Sequence, residues 1–162
     1  MVSLRVLLDT SSYDRYLATI DFDRLVRAVE TRRAIIYGFK IVRDELRAVP
    51  TTKKIGTKSL RMEILRTYDQ LIGEHFYPNT AIIEQLATEY YQEYRGNETS
   101  NEMRNDFQIV ACATIHQLDI LVTQDRRTMI SEDARRAYEI ANRKNKLETP
   151  AFLSVEIFNK LL

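Results

Sequence analysis

Four acidic side chains of this 162-residue chain stand beside apolar segments, where a strand is expected to end or a helix to begin. Asp9 closes the first apolar run, and Asp125 follows a later apolar run by two residues. Glu45 lies on a short helical segment, and Asp106 leads a longer helical face that is mostly apolar. Because ligands of open parallel sheets bind beyond the C-terminal ends of the strands, we expect these four carboxylates to converge on one cleft.

Such a cluster has a definite chemistry. Carboxylates that converge repel one another, which raises their pKa values and destabilises the fold unless a cation lies among them. Ligand sets made only of oxygen atoms favour Mg²⁺ or Mn²⁺ over zinc. These ions activate water and stabilise charge on a phosphoryl centre. The pattern therefore predicts phosphodiester or phosphate chemistry.

Each acid also has a purely structural interpretation. Asp9 precedes Thr-Ser-Ser, which is typical of turns and helix caps, and Asp106 could serve only to offset a helix dipole. Glu45 is one of a pair with Asp44, and most helical acids are solvated. Asp125 precedes two arginines and could form a loop ion pair of little energetic value. The joint pattern, more than any single acid, favours a functional site.

The surrounding sequence alternates short apolar runs with longer segments of helical periodicity. Strands are predicted at residues 6–8, 34–39, 119–123 and 152–158, and helices at 21–31, 41–49, 58–73, 79–95, 102–118 and 131–146. The polar stretch 51–56 is expected to be a loop. Alternating strands and helices predict an α/β fold with a mostly parallel sheet between two layers of helices.

Composition excludes several classes of protein. The length and the 44% hydrophobic content predict one domain with a substantial core. A single cysteine, Cys112, cannot form an internal disulfide or a thiolate zinc site, and fits a reducing cytoplasm. No apolar run approaches 18 residues, and the N-terminus does not have the pattern of a signal peptide. The net charge of +1 excludes a uniformly basic surface but leaves room for a local basic patch.

Four motifs in order give the chain a resemblance to the PIN-domain nucleases, the family that includes VapC-type toxins. They are LLDTSS at 7–12, DEL at 44–46, NDFQIVACA at 105–113 and DILVTQD at 119–125. The resemblance extends through most of the chain. It implies a three-layer α/β/α fold and an endonuclease that depends on Mg²⁺ or Mn²⁺ and usually acts on RNA.

The resemblance also implies roles for individual residues. Asp9, Glu45, Asp106 and Asp125 would bind the metal and carry catalysis, and Thr123 would orient a carboxylate. Ser11 is expected beside them, where it could contact the substrate. Arg126 and Arg127 are close in sequence to the expected cleft, and we predict that they contact substrate phosphates. A solvated helix face is the alternative for these basic residues. Asp119 begins its strand, so it is expected at the opposite end from the cleft.

At the level of the whole protein, we expect a single PIN-like domain over residues 1–162 with a helical extension at about 51–77. This extension could be a phosphate-binding arm or a solvated helix. The resemblance further implies single-stranded RNA as substrate, a homodimer and, in a toxin, an antitoxin partner. A housekeeping RNA-processing nuclease and a non-catalytic module that binds RNA or protein are the alternatives.

Two other groups of side chains have less specific patterns. Tyr90, Tyr91 and Tyr94 share one side of a predicted helix and could stack on bases, although a core face or a dimer interface is the commoner use. His75 and His116 have no partner at metal-ligand spacing and are expected to be surface or packed side chains.

Overall fold

A five-stranded sheet forms the centre of the protein in the computed structural model, which describes residues 2–13 and 19–162. The strand order is β5-β2-β1-β6-β7, and all neighbouring strands in it are parallel. The strands of this sheet are β1 (Leu4–Leu8), β2 (Ala34–Phe39), β5 (Phe76–Tyr77), β6 (Ile120–Val122) and β7 (Ala151–Leu153). A separate hairpin pairs β3 (Lys54–Ile55) with β4 (Lys58–Ser59) in the antiparallel sense.

Helices connect the strands and cover the sheet. The described residues form seven of them: α1 (Phe22–Glu30), α2 (Lys40–Arg47), α3 (Leu60–Ile72), α4 (Ala81–Glu93), α5 (Ser100–Ile115), α6 (Glu132–Lys144) and α7 (Val155–Leu161). A single 3₁₀ turn at Thr10–Tyr13 follows β1 directly.

The central strand shows why the fold has three layers. Val6, Leu7 and Leu8 are at most 1% exposed, although successive side chains of a strand point to opposite faces of the sheet. Both faces of β1 are therefore covered by helices. This arrangement confirms the predicted α/β/α sandwich with its parallel sheet.

Helix α5 is buried along most of its length, as its sequence predicted. Its first turn is held by a capping box, in which the side chain of Thr99 and that of Glu102 each bond to the other residue's backbone N–H. Farther along, the Phe107 ring contacts Tyr90 and Tyr138 edge-on, at centroid distances of 6.0 and 5.6 Å. These aromatic contacts join α4, α5 and α6 into one layer, which fixes the position of the residues on α5.

The structure differs from the predictions at the edges of the sheet. The stretch 51–56 was expected to be a loop, but its end forms β3, because Gly56 adopts a φ of +60° that allows the tight turn into β4. The predicted strand at 152–158 is wrong beyond Leu153, where Ser154 caps the N-terminus of α7. Strand β5 was not predicted, since two residues are too few to show a pattern.

The helix predicted at 58–73 forms as α3, and Gly73 ends it with a φ of 55°. Within the expected extension at 51–77, α3 lies between the hairpin and β5. The aromatic stripe on the next helix needs a correction. On α4, Tyr90 is buried as part of the core, whereas Tyr91 is exposed rather than packed on the same side.

No helix among the described residues is long and apolar enough to cross a membrane.

Candidate functional site

The sheet brings Asp9 and Thr123 together because they follow neighbouring parallel strands. Leu8 pairs with Val122 at the C-terminal ends of β1 and β6, and the Asp9 backbone N–H donates to the Val122 carbonyl at 2.9 Å. The Thr123 hydroxyl donates to Asp9 Oδ2 at 2.9 Å. Asp9 is only 4% exposed, so its carboxylate lies within the fold at the edge of the sheet.

Hydroxyl groups hold this carboxylate in one orientation. Ser11 Oγ donates to the same Asp9 oxygen at 2.8 Å and accepts from the backbone N–H of Gln124 at 2.9 Å. Thr123 Oγ1 in turn accepts from the backbone N–H of Asp125 at 3.0 Å. Ser11 and Thr123 therefore tie the loops after β1 and β6 to each other and to Asp9.

A second pair of acids meets at one hydroxyl. Thr128 Oγ1 lies 2.5 Å from Asp106 Oδ2 on α5 and 2.5 Å from Asp125 Oδ2 on the loop after β6. The other oxygen of Asp125 accepts the backbone N–H groups of Arg127 and Thr128 at 3.1 and 3.0 Å. This turn fixes Asp125 and presents Thr128 to Asp106.

The Thr128 hydroxyl lies between two acids but has one proton, so it can donate to only one of the carboxylates at a time. Burial raises the pKa of Asp106 to about 7, with the charges of Asp125, Asp9 and Glu45 adding to the effect and the hydrogen bond from Thr128 opposing it. Asp106 therefore takes up a proton at a higher pH than an exposed aspartate does.

The fourth acid enters from α2, which begins where β2 ends. Glu45 accepts hydrogen bonds from the Thr10 hydroxyl and, at 2.8 Å, from Asn105 Nδ2. Its neighbour Asp44 instead forms an exposed ion pair with Lys40. Since two consecutive helical side chains point in different directions, Glu45 turns toward the other acids and Asp44 does not.

The four acids influence one another electrostatically. Burial, with a smaller contribution from the charge of Glu45, raises the pKa of Asp9 to about 6 against the hydrogen bonds from Ser11 and Thr123. Asp106 is affected by the charges of all three other acids. The structure therefore brings the four predicted carboxylates to one edge of the sheet, within electrostatic reach of each other.

The site fits a divalent cation in its chemistry, although its side chains are not arranged around a common point. All four candidate ligands offer oxygen atoms, and a cation would relieve the burial of mutually repelling carboxylates. Across residues 2–13 and 19–162, however, no group of three or more Asp, Glu, His or Cys side chains is placed to hold a metal ion. The carboxylates are directed instead at the hydroxyl and amide donors just described.

A polar cavity opens beside two of the acids. Its volume is about 440 Å³, and Glu45, Asp106, Asn79 and Arg104 are among the residues that line it. The Asn79 Oδ1 atom is buried and has no hydrogen-bond partner in the described part of the chain. This acceptor is available to water or to a bound molecule.

The two predicted phosphate-binding arginines flank the site on the turn after Asp125. Both are exposed. Arg127 Nη1 forms an ion pair with Glu98 at 2.8 Å. The structure places neither guanidinium on the four acids, so their contact with substrate remains a prediction.

The remaining candidates lie elsewhere. Asp119 accepts the backbone N–H of Arg5 at 2.8 Å at the opposite edge of the sheet, as expected. Cys112 is fully buried, which raises the pKa of its thiol. His116 stacks on Tyr77, with 3.5 Å between ring centroids, and His75 is exposed. Neither histidine approaches the acids.

Sequence reasoning missed three residues that contact the acids: Thr10, Asn105 and Thr128. Thr10 and Asn105 each adjoin a predicted acid in sequence, which was a usable signal. Thr128 follows Asp125 by three residues, and its contact with Asp106 depends on how α5 packs against the loop.

No protein-family model and no curated protein sequence matches the chain. Solved structures do share its fold. A chain of FitAcB from Neisseria gonorrhoeae has a TM-score of 0.56 and 16% identity, over 93% of this chain and 98% of that one. A chain of VapBC2 from Rickettsia felis, bound to a DNA fragment from their promoter, has a TM-score of 0.54 and 16% identity over the same shares.

A third structure, FitAB bound to the IR36 DNA fragment, has a TM-score of 0.52 and 14% identity, over 93% of this chain and 94% of that one. At this level of identity the likeness concerns the fold. It agrees with the order of the motifs at 7–12, 44–46, 105–113 and 119–125, which lie on the elements that carry the four acids. The chain shares the three-layer α/β/α fold of these solved chains, as the resemblance to the PIN-domain nucleases implied.

Proposed function

We propose that this protein is an endoribonuclease that depends on Mg²⁺ or Mn²⁺ and acts through Asp9, Glu45, Asp106 and Asp125. One observation carries the proposal. Acids from four separate elements meet at the C-terminal edge of the sheet, close enough to contribute to the raised pKa of the buried Asp9 and of the half-buried Asp106. A structural role for each acid alone does not account for that concentration of partly buried negative charge.

The residues of the site have distinct proposed roles. The four carboxylates would bind the cation, which when bound supplies charge neutralisation at the phosphodiester and lowers the pKa of water. Thr123 and Ser11 hold the Asp9 carboxylate, and Thr128 holds those of Asp106 and Asp125. These hydroxyls hold the acids at one edge of the sheet, and the carboxylates would turn from some of these donors toward the cation on binding.

Substrate binding is assigned to the turn after Asp125. Arg126 is exposed beside the site, and none of the described residues accepts a hydrogen bond from its guanidinium. We propose that it contacts a phosphate of single-stranded RNA, with Ser11 at the edge of the cleft. Arg127 would join it after its exposed ion pair with Glu98 opens, which costs little free energy.

We further propose that the protein is the toxin of a toxin-antitoxin pair and forms a homodimer. The PIN resemblance and the shared fold with chains of VapBC2 and FitAB support this setting. Sedimentation of the purified chain tests the dimer. Co-purification with the product of an adjacent small reading frame tests the antitoxin.

A non-catalytic module that binds RNA or protein is the second candidate. The observation that favours it is the arrangement of the carboxylates, which are satisfied by hydroxyl and amide donors and, within residues 2–13 and 19–162, do not surround a metal position. Such a module would retain the network of hydrogen bonds without gaining stability from Mn²⁺.

The deciding experiment incubates end-labelled single-stranded RNA with the purified protein and Mn²⁺ or Mg²⁺. Asp9→Asn and Glu45→Gln remove one charge each from the cluster, and Asp44→Asn is the matched control because it is adjacent to Glu45 but faces solvent. We expect cleavage by the wild-type protein and by Asp44→Asn. We expect it to be lost in the two cluster variants and in EDTA.

Cleavage that persists in both cluster variants would contradict the assignment of the site. If neither the wild-type protein nor any variant cleaves RNA, thermal melting with and without Mn²⁺ separates a nuclease from a non-catalytic module. A metal-dependent rise in the melting temperature of the wild-type protein and of Asp44→Asn, absent in the two cluster variants, would indicate a selective nuclease, and no rise in any protein would indicate the non-catalytic module.

A further inference from the structure

A second groove continues from the polar cavity that holds Glu45 and Asp106. It runs between α4 and the first half of α5, and its volume is about 490 Å³, within the range of ligand-binding pockets. Asn101, Arg104 and Gln108 line both spaces. The groove therefore begins where the candidate site ends.

Arg104 supplies positive charge at the boundary between the two spaces. Its side chain is exposed, and no residue in the described part of the chain forms an ion pair or a hydrogen bond with it. One acid, Glu84, also lines the groove, and its Oε1 accepts a hydrogen bond from Asn79 Nδ2 at 3.2 Å. The guanidinium of Arg104 is thus available to an anionic ligand.

The rest of the groove offers an aromatic surface. Tyr91 is 38% exposed on α4, while Ala87 and Phe107 are buried and line the floor. An exposed aromatic ring next to an arginine is the combination with which proteins bind single-stranded nucleic acids, because bases stack on the ring and the phosphate meets the cation.

We propose that this groove binds a nucleotide of the RNA strand that lies next to the two nucleotides flanking the cleaved bond, with its base on Tyr91 and its phosphate at Arg104. The inference rests on the proposed nuclease function and names a part of its substrate site. A strand whose phosphodiester lies at Glu45 and Asp106 must continue into neighbouring space, and the groove is continuous with that site. Stacking is tolerant of sequence, so the groove adds affinity more than base specificity.

Steady-state cleavage of RNA by the full chain tests the proposal. Tyr91→Ala removes the ring and Tyr91→Phe retains it, while Arg104→Gln removes the charge and Arg104→Lys retains it. Arg95→Gln is a matched control, since Arg95 is exposed after α4 and, among the described residues, donates hydrogen bonds to the backbone carbonyls of Gln92 and Tyr94. The substrates are an eight-nucleotide RNA and a dinucleotide, which is too short to occupy both the site and the groove.

For the eight-nucleotide RNA, we expect Tyr91→Ala and Arg104→Gln to raise KM about five- to 150-fold with little change in kcat. The conservative variants and Arg95→Gln should behave as the wild-type protein does. All variants should cleave the dinucleotide equally, a result that a general loss of structure would not produce.

The outcomes separate this proposal from the nuclease function. Normal KM values for the longer RNA in both variants would overturn the groove proposal and leave the nuclease intact. A change in the oligomeric state of Tyr91→Ala with an unaltered KM would also overturn the groove proposal, because it would identify the groove as a protein interface. If the wild-type protein cleaves nothing, fluorescence anisotropy with the same RNA in EDTA decides: weaker binding in both variants supports the groove, and unchanged binding overturns it.

Discussion

Replacing Asp106 with asparagine should make the metal-free protein more stable at pH 8, although the residue belongs to the candidate active site. Asparagine keeps the shape of aspartate and removes its charge. Its Nδ2 can donate to Thr128 Oγ1, and Thr128 can then donate to Asp125, so the hydrogen bonds around the hydroxyl are preserved. The substitution therefore changes mainly the electrostatic free energy of the cluster.

The magnitude follows from the pKa of Asp106, which burial and then the charges of Asp125, Asp9 and Glu45 raise from 3.8 to about 7. The folded state therefore binds a proton more tightly than the unfolded state. As pH rises from 3.8 toward 7, this contribution to the free energy of unfolding is lost at up to 1.36 kcal/mol per pH unit, or about 4 kcal/mol in all. Between pH 5 and 8 the loss is about 3 kcal/mol, an upper limit because partial exposure of the side chain screens the charges.

Urea denaturation in EDTA at pH 5, 6, 7 and 8 measures the effect. EDTA is needed because a bound cation would offset the repulsion that the experiment measures. We expect the stability of Asp106→Asn relative to the wild-type protein to increase steadily from pH 5 to pH 8. Asp44→Asn, the solvent-facing control, should show no such trend.

A stability difference that is independent of pH would refute the reasoning, because it would mean that Asp106 ionises in the folded protein as easily as in the unfolded chain. A variant that is less stable than the wild-type protein at pH 8 would show that asparagine fails to replace the carboxyl in the Thr128 network.

Mn²⁺ provides a second test of the same reasoning. If Asp106→Asn is the more stable protein at pH 8 in EDTA, adding Mn²⁺ should stabilise the wild-type protein and reduce the advantage of the variant.

Three further substitutions test other contacts by the same denaturation assay. Thr128→Val should cost about 1–3 kcal/mol, because it removes the hydroxyl that two carboxyls share, and an unchanged stability would show that water replaces it. Gly38→Ala should cost about 1–3 kcal/mol, since the added Cβ would lie 2.5 Å from the Tyr68 hydroxyl; a neutral result would mean that α3 shifts easily. The Tyr90 hydroxyl donates to the buried Asn142 Oδ1 at 2.7 Å, so Tyr90→Phe should cost about 1–3 kcal/mol by leaving that oxygen without its donor. A smaller loss of stability would indicate that another donor replaces the hydroxyl.

Much of the fold could be predicted because the strong elements carry local signals. Strand β2 occupies the predicted residues 34–39, and α1, α5 and α6 have their expected positions within a few residues. These segments are either long or continuously apolar, so the spacing of their buried side chains shows in the sequence whether each is a helix or a strand. The two-residue strands and the β3–β4 hairpin have no such signal, and they form because neighbouring strands or a glycine turn make them possible.

The acids of the candidate site were identified from sequence for a similar reason. Asp9 follows a buried strand, and the C-terminal ends of parallel strands must meet at one edge of the sheet. The choice of Glu45 over Asp44 rested on the family motif, and the structure agrees because only Glu45 faces Thr10 and Asn105. Which residues are acidic, and at which end of the sheet they lie, is thus encoded locally.

Tertiary structure alone decided how those acids are held and charged. The Thr128 hydroxyl reaches both Asp106 and Asp125 only because α5 packs against the loop after β6, and no spacing along the chain predicts a contact across 22 residues. The raised pKa of Asp106 likewise depends on burial and on the charges of three other elements. Sequence determines which groups are present and roughly where each element places them, whereas distances, desolvation and mutual charge arise from packing between elements that are far apart in the chain.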